Sequence, residues 1–176
     1  DEQDRILVYT GHDGVLLRPF VQVRTSWESA DWDVRDRDDF PDDLRLFRLI
    51  VLVGTGSMGT AVFSEDQMDA LSNALQRGTR IVVLQEPRTD GSCGSDAIDA
   101  LVEAWDLPFG FAEASASGDA IPDQTQSFDS VRSGQQATEQ VNVLSMTAPC
   151  TLTSGGTWLV RDANQLPIAS VSRVGN

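Results

Sequence analysis

The apolar residues of this chain come in short unbroken runs, and glycine or acid-rich text separates one run from the next. Residues 6–10 (Ile-Leu-Val-Tyr-Thr), 49–53 (Leu-Ile-Val-Leu-Val) and 80–84 (Arg-Ile-Val-Val-Leu) lack the period-two alternation of a half-exposed strand. They predict strands covered on both faces, as a parallel sheet supplies. The stretches between them carry helical spacing. Leu16, Phe20 and Val23 repeat on one face within 15–27, with Pro19 near the start where a helix tolerates it. Ser64 and Gln67 stand three apart as a capping box, Phe63 is placed to staple onto Met68, and Met68, Leu71 and Leu75 form a stripe that Gly78 terminates. Ser95 is placed to cap a third helix, whose stripe is Ile98, Leu101, Val102 and Trp105.

Three weaker readings complete the pass. Residues 32–34 around Trp32 predict a short strand, and the acid-rich text through Asp43 predicts a surface connection. Residues 112–140 are rich in Ser, Ala, Asp, Gln and Gly and predict long surface loops with one short helical turn. Strand character returns at 141–146, 157–160 and 168–174, the last two joined through 162–165 as an antiparallel hairpin. Strand, helix and strand in alternation predict an α/β fold: an open, mainly parallel three-layer sheet ending in an antiparallel hairpin.

Length and charge narrow the picture. The 176 residues suit one domain, so a single domain over 1–176 is expected. No apolar run approaches the roughly 20 residues that cross a bilayer as a helix. The opening Asp1-Glu2-Gln3-Asp4 shows no signal-peptide pattern, and a chain already relieved of its signal would read the same way. Net charge is -14, with 27 acids against 13 bases, and every base is arginine. Such a surface repels phosphate and anionic lipid, which argues against nucleic acid and membrane surfaces as partners.

Cys93 and Cys150 each lie among small residues, in Gly-Ser-Cys-Gly and Ala-Pro-Cys-Thr, and neither reads as an apolar core position. Paired, they would close a long loop, contribute about 4 kcal/mol on the chain-entropy account and imply an oxidising, extracellular or periplasmic compartment. Unpaired, they would be two unrelated thiols. With one histidine beside them they cannot complete the four ligands of a structural zinc, and no metal or other cofactor is expected.

Residues 6–13 (Ile-Leu-Val-Tyr-Thr-Gly-His-Asp), the strand at 49–53, and the block from Phe63-Ser64-Glu65-Asp66-Gln67 through Gln76-Arg77-Gly78-Thr79-Arg80 to Ile81-Val82-Val83-Leu84 together resemble the class I glutamine amidotransferase-like superfamily. ThuA-like members and related secreted domains are nearest in pattern. The resemblance spans roughly residues 5 to 110 and the terminal hairpin more faintly, and it implies a flavodoxin-like, amidotransferase-like sheet. It also implies a nucleophilic Cys on the turn after the strand at 81–84, with a His and a Glu further on. That turn reads Gln85-Glu86-Pro87, and no His follows residue 12, so this chain cannot pair a thiolate with an imidazole there. Related domains continue past a segment like 172–176 with one more strand. A fragment of a larger polypeptide, trimmed or completed by a neighbouring chain, and a domain ending at its hairpin are both consistent with that.

Candidate chemistry gathers at the carboxyl ends of the strands. Gly54-x-Gly56-x-x-Gly59 matches the dinucleotide fingerprint, and Glu86 is placed to meet a ribose. The fingerprint needs its helix to start within the glycines, whereas the capping box starts this one at Ser64; an ordinary glycine-rich loop fits as well. His12 and Asp13 follow the first strand, and with Glu86 and Ser57 they could line a small polar crevice. A turn histidine and a self-satisfied Asp is the plain alternative. Ser57 lacks the spacing of a nucleophile elbow. The acids at 31–43 do not fit a calcium loop, and the tryptophans suggest no binding platform, Trp105 and Trp158 falling on expected core faces.

The sequence therefore points first to a non-catalytic structural or interaction module of an exported protein, partnered by another protein or the remainder of its parent polypeptide. The alternative is a hydrolase or small-molecule-binding enzyme using His12, Asp13 and Glu86.

Overall fold

The structure is a computed structural model that describes residues 5–9, 28, 33–37, 39–54, 63–85, 93, 96–114, 125–128, 130–131, 144–147, 150–153, 156–161 and 164–172. It is a mixed α/β protein in two compact units, residues 1–84 and 85–176. The first unit holds β1 (Arg5–Tyr9), β2 (Asp33–Arg37), β3 (Leu49–Gly54), α1 (Glu65–Gln76) and β4 (Arg80–Gln85), the last ending at the boundary. The sheet order is β2-β1-β3-β4, with β1 parallel to both neighbours. In register, Val8 faces Asp36 on one side and Val51 on the other.

The unbroken apolar runs explain this sheet. Ile6, Leu7, Val8 and Tyr9 are all buried although alternate residues point to opposite faces, so both faces of β1 are covered, and the same holds for Ile50, Val51 and Leu52. Each such side chain contributes about 1.5–3 kcal/mol by leaving water. The strands start level: the Arg48 amide donates to the Arg5 carbonyl at 2.9 Å, and the Arg80 amide to the Arg48 carbonyl at 3.1 Å. Thr79 Oγ1 ties the same edge by donating to the Phe47 carbonyl at 3.0 Å.

Helix α1 begins and ends where its sequence signals stand. Ser64 Oγ accepts from the Gln67 amide at 3.3 Å, and Gln67 Oε1 accepts from the Ser64 amide at 2.9 Å, so the capping box is closed in both directions. Glu65 and Asp66 place negative charge on the first turn, where the helix dipole favours it. At the other end Gly78 adopts φ 91°. Its amide reaches the Leu75 carbonyl at 2.9 Å and that of Thr79 reaches Ala74 at 3.0 Å, the paired bonds of a Schellman stop. Leu71 of the expected stripe is fully buried, but Ala74 shares its place, while Met68 and Leu75 are half-buried. The expected helix over 15–27 lies outside the described residues.

The acid-rich connection is less superficial than its composition suggests. β2 takes up part of it, and Pro41, Leu44 and Phe47 are buried while Asp42, Arg45 and Arg48 stay exposed. Apolar residues spaced among charged ones let the segment turn one side inward, as the Phe47 amide to Leu44 carbonyl bond at 3.2 Å shows.

The second unit holds α2 (Asp96–Ala104), β5 (Phe111–Ala114), β6 (Thr125–Phe128), β7 (Ser130–Val131), β8 (Leu144–Thr147), β9 (Cys150–Leu152), β10 (Thr157–Arg161) and β11 (Pro167–Val171). Its strand pairings are antiparallel: β5 with β9, β6 with β8, and β10 with both β11 and β7. The terminal hairpin forms as expected. Strands β5, β6 and β7 instead fall largely within residues 112–140, where loops were expected. Their residues, such as Thr125-Gln126-Ser127-Phe128, carry little apolar alternation in the sequence, and their partners β8, β9 and β10 lie far along the chain. α2 starts at Asp96 as predicted, with Leu101 buried and Val102 and Trp105 half-buried; its cap Ser95 lies outside the described residues.

Cys93 and Cys150 are joined by a disulfide with Cα atoms 5.9 Å apart. Cys150 is 4% exposed and opens β9, which corrects its reading as a loop position away from the core, whereas Cys93 is half-buried and lies in neither helix nor strand. Small neighbours such as Ala148 and Thr151 disguise a strand whose burial comes from pairing rather than from its own apolarity. Among the described residues no helix is long and apolar enough to cross a membrane.

Candidate functional site

The order β2-β1-β3 makes the chain leave β1 toward one side of the sheet, while β3 and β4 extend the other side. Such a reversal opens a crevice beyond the carboxyl ends of the two central strands in open α/β sheets. Tyr9 and Leu52 are register partners there, so the segments departing after Tyr9 and after Gly54 leave from adjacent strand ends. Of the sequence candidates, Gly54 closes β3. His12, Asp13, Gly56, Ser57 and Glu86 lie outside the described residues.

The sequence did not single out what stands beneath this edge. The ring of Tyr9 meets Phe40 edge-on at 5.4 Å between centroids and Phe63 at 6.1 Å, and Phe40 meets Phe63 at 5.9 Å. Three rings from the end of β1, the turn before Pro41 and the residue ahead of the α1 cap thus form one apolar cluster. Tyr9 and Phe63 are buried. Phe63, read as a staple onto Met68, has ring contacts with both of these aromatics. Offset and edge-on pairs of this kind add about 0.5–1.5 kcal/mol each beyond burial.

At the surface of the same unit, Asp43 and Arg45 form a two-pronged pair. Arg45 Nε donates to Asp43 Oδ1 at 2.9 Å, its Nη2 to Oδ2 at 2.8 Å, and its backbone amide to Oδ1 at 2.9 Å. These side-chain and backbone bonds lower the Asp43 pKa to about 2, with Arg77 adding a smaller electrostatic pull, and the pairing raises that of Arg45. Both groups face solvent, so the pair organises a turn more than it stabilises the fold.

In the second unit the β10–β11 hairpin presents a third arrangement. Register shifts between Trp158 and Val160 and again between Val160 and Arg161 re-aim the side chains of β10. The Arg161 guanidinium carbon consequently lies 4.3 Å from the centroid of the Trp158 ring, a cation–π contact between residues that a regular strand would point to opposite faces. Trp158 is half-buried under this cation, not enclosed in a core as its sequence position suggested. Ser170 is its register partner; Ser170 Oγ and Arg161 Nε have no hydrogen-bond partner among the described residues.

No protein-family model, curated protein or solved structure matches the chain.

Its chemistry is thus read from its own residues. The chain has two cysteines, and both are consumed in the Cys93–Cys150 bridge. No thiolate remains for covalent catalysis while that bridge is intact. Among the described residues no three His, Cys, Asp or Glu side chains converge as metal ligands.

Proposed function

We propose that this chain is a non-catalytic structural or interaction module of an exported protein, built on a flavodoxin-like, amidotransferase-like frame. The observation that carries the reading is the Cys93–Cys150 bridge, which takes up both thiols of the chain and implies an oxidising compartment. The strand order β2-β1-β3-β4 supports the frame, because a flavodoxin-like sheet begins in that order. In the sequence, β4 is followed by Glu86 and Pro87, with no cysteine at the positions where amidotransferases carry their nucleophile. Mass analysis of intact, unreduced protein under alkylation is expected to show no adduct, and two adducts after denaturation with reductant. Two alkylated thiols in the native protein would remove the compartment argument.

A second reading is favoured by one feature, the reversal of strand order between β1 and β3. It makes this chain a hydrolase or small-molecule-binding enzyme, for which the sequence offers His12, Asp13 and Glu86 as polar groups. A screen of amide and ester substrates with the native protein and its His12→Ala variant separates the two. Turnover lost in the variant supports the enzyme; no turnover in either supports the module.

A further inference from the structure

Arginines gather where the strands of the first unit's sheet begin. Arg5 opens β1, Arg48 immediately precedes β3, and Arg80 opens β4. The Arg48 amide bonds to the Arg5 carbonyl and the Arg80 amide to the Arg48 carbonyl, so the three stand side by side on adjacent strands, about 4.8 Å apart as strands in a sheet are. Arg77, the C-cap of α1, comes three residues before Arg80. Arg45 comes two residues before Phe47, whose carbonyl accepts from the Thr79 hydroxyl. Arg45, Arg48, Arg77 and Arg80 are exposed and Arg5 is half-buried. The acids within residues 41–48 and 76–80 are Asp42 and Asp43, so this edge holds five arginines with two carboxylates in a chain of net charge -14. The far end of α1 has the reverse sign, with Glu65, Asp66 and Asp69. Arg45 is paired with Asp43, and Arg5 and Arg48 have partners of their own. Arg77 and Arg80 form no ion pair among the described residues; Arg77 acts on Asp43 only as a longer-range electrostatic pull.

We propose that this amino edge of the sheet binds a short segment, rich in Asp or Glu, of another polypeptide. Charge complementarity selects that chemistry. A guanidinium takes a carboxylate in a planar two-pronged fork, as Arg45 already does with Asp43. At physiological salt a charge is felt over about 8 Å, so a ligand a few residues long meets the local surplus of cations. A long, uniform polyanion such as nucleic acid meets the field of the whole chain as well, and is repelled. A second copy brings its own net charge of -14 and is repelled likewise. The arginines stand at the other end of the strands from the crevice beyond Tyr9 and Gly54, so the edge is separate from the site of the enzyme reading. It gives the interaction reading a partner chemistry but rests on different residues. Failure to bind an acidic peptide would leave the Cys93–Cys150 bridge and its consequences intact.

The test is titration of the native protein with an acetylated hexaglutamate peptide at about 50 mM salt, followed by amide NMR shifts. Saturable binding with a Kd of about 100 µM is expected, weakened at least about tenfold at about 500 mM salt. The shifts are expected to gather at 45–48 and 77–80, and hexaglutamine to leave them unmoved. Arg77→Gln with Arg80→Gln is expected to weaken binding at least about fivefold with an unchanged far-ultraviolet spectrum. Asp43→Asn removes a negative charge while keeping an acceptor for the Arg45 amide, and is expected to tighten binding about twofold. Arg161→Gln, in the second unit, is expected to change nothing. Should the double variant fail to fold, Asp43→Asn and the map of shifts decide the question. Absence of saturable binding overturns the inference, and so do shifts gathered elsewhere or an equal loss in Arg161→Gln. Tighter binding of a single-stranded oligonucleotide through the same arginines overturns it in favour of a nucleic acid. Self-association of the protein that the double variant abolishes overturns it in favour of a second copy. Binding that appears only once Asp1, Glu2 and Asp4, which precede Arg5, are changed to their amides also overturns it, because the chain would then cover this edge itself.

Discussion

Gly156 lies with its α-carbon against the ring of Phe109: a β-carbon built on it would stand 2.9 Å from Cδ1 and 3.1 Å from Cε1 of that ring. The same β-carbon would be 3.3 Å from the Val171 carbonyl oxygen, and the backbone at 156 has φ 65°. An alanine there meets a rigid ring, a backbone oxygen and an unfavourable dihedral together. Gly156→Ala is expected to destabilise the second unit by about 1–3 kcal/mol, read as a lower urea midpoint at unchanged slope. Adding Phe109→Leu should recover part of the loss if the ring is a cause, and a neutral Gly156→Ala would contradict the packing described.

The disulfide spans 57 residues of sequence. Closing a loop of that length removes denatured-state entropy worth about 4 kcal/mol on the chain-entropy account. The double variant Cys93→Ser with Cys150→Ser is expected to lose roughly that much, and the native protein to lose stability in reductant while the variant does not respond. Equal denaturation midpoints with and without reductant for the native protein would show that the bridge contributes nothing measurable.

Helix α1 offers a local test at each end. Ser64→Ala removes one acceptor of the capping box and is expected to cost about 1 kcal/mol, with Ser64→Asp retaining most of it. Gly78→Ala forces a β-carbon onto φ 91° and is expected to cost about 1–2 kcal/mol, although nothing within 4 Å would touch that carbon. The second effect is purely conformational, so Gly78→Asn, which tolerates that region better, should cost less. Thermal midpoints of the four variants order these effects directly.

Asp43 titrates near 2 instead of its ordinary 3.8 because Arg45 holds the ionised form through side-chain and backbone hydrogen bonds. A depressed pKa in the folded chain means that the favourable contribution is fully present above the ordinary value of 3.8 and is lost as pH falls through about 2. Carboxyl carbon shifts followed by NMR are expected to place the Asp43 midpoint close to the lower value, and Arg45→Gln is expected to move it upward. Its effect on stability at neutral pH is small, because both partners are exposed.

Legibility in the sequence followed the reach of the interactions involved. Ser64, Gln67 and Gly78 delimited α1 because caps are local: donors and acceptors within a few residues decide them. The runs at Ile6 and Leu49 were legible because a strand covered on both faces must be apolar throughout. The opposite case is β6, where Thr125 and Gln126 become strand through Thr147 and Met146 some twenty residues away, and no local signal announces that pairing. Phe40 and Phe63 went unread as a pair for the same reason, since only the fold brings them to Tyr9. Arg161 met Trp158 through irregularities in β10 that residue spacing conceals. Of the candidate site, Gly54 was located at the end of its strand, while His12, Asp13, Gly56, Ser57 and Glu86 lie outside the described residues.

By itself, the order of residues determined where the parallel strands run, where α1 starts and stops, and that any bridge would have to join Cys93 to Cys150. Only the tertiary structure decided that this bridge forms, that Cys150 is buried in a strand, and that β5, β6 and β7 pair antiparallel with β9, β8 and β10. Burial of a whole run and closure of a cap are written in neighbouring residues, whereas a partner strand or sulfur far along the chain is chosen by the packing of everything between.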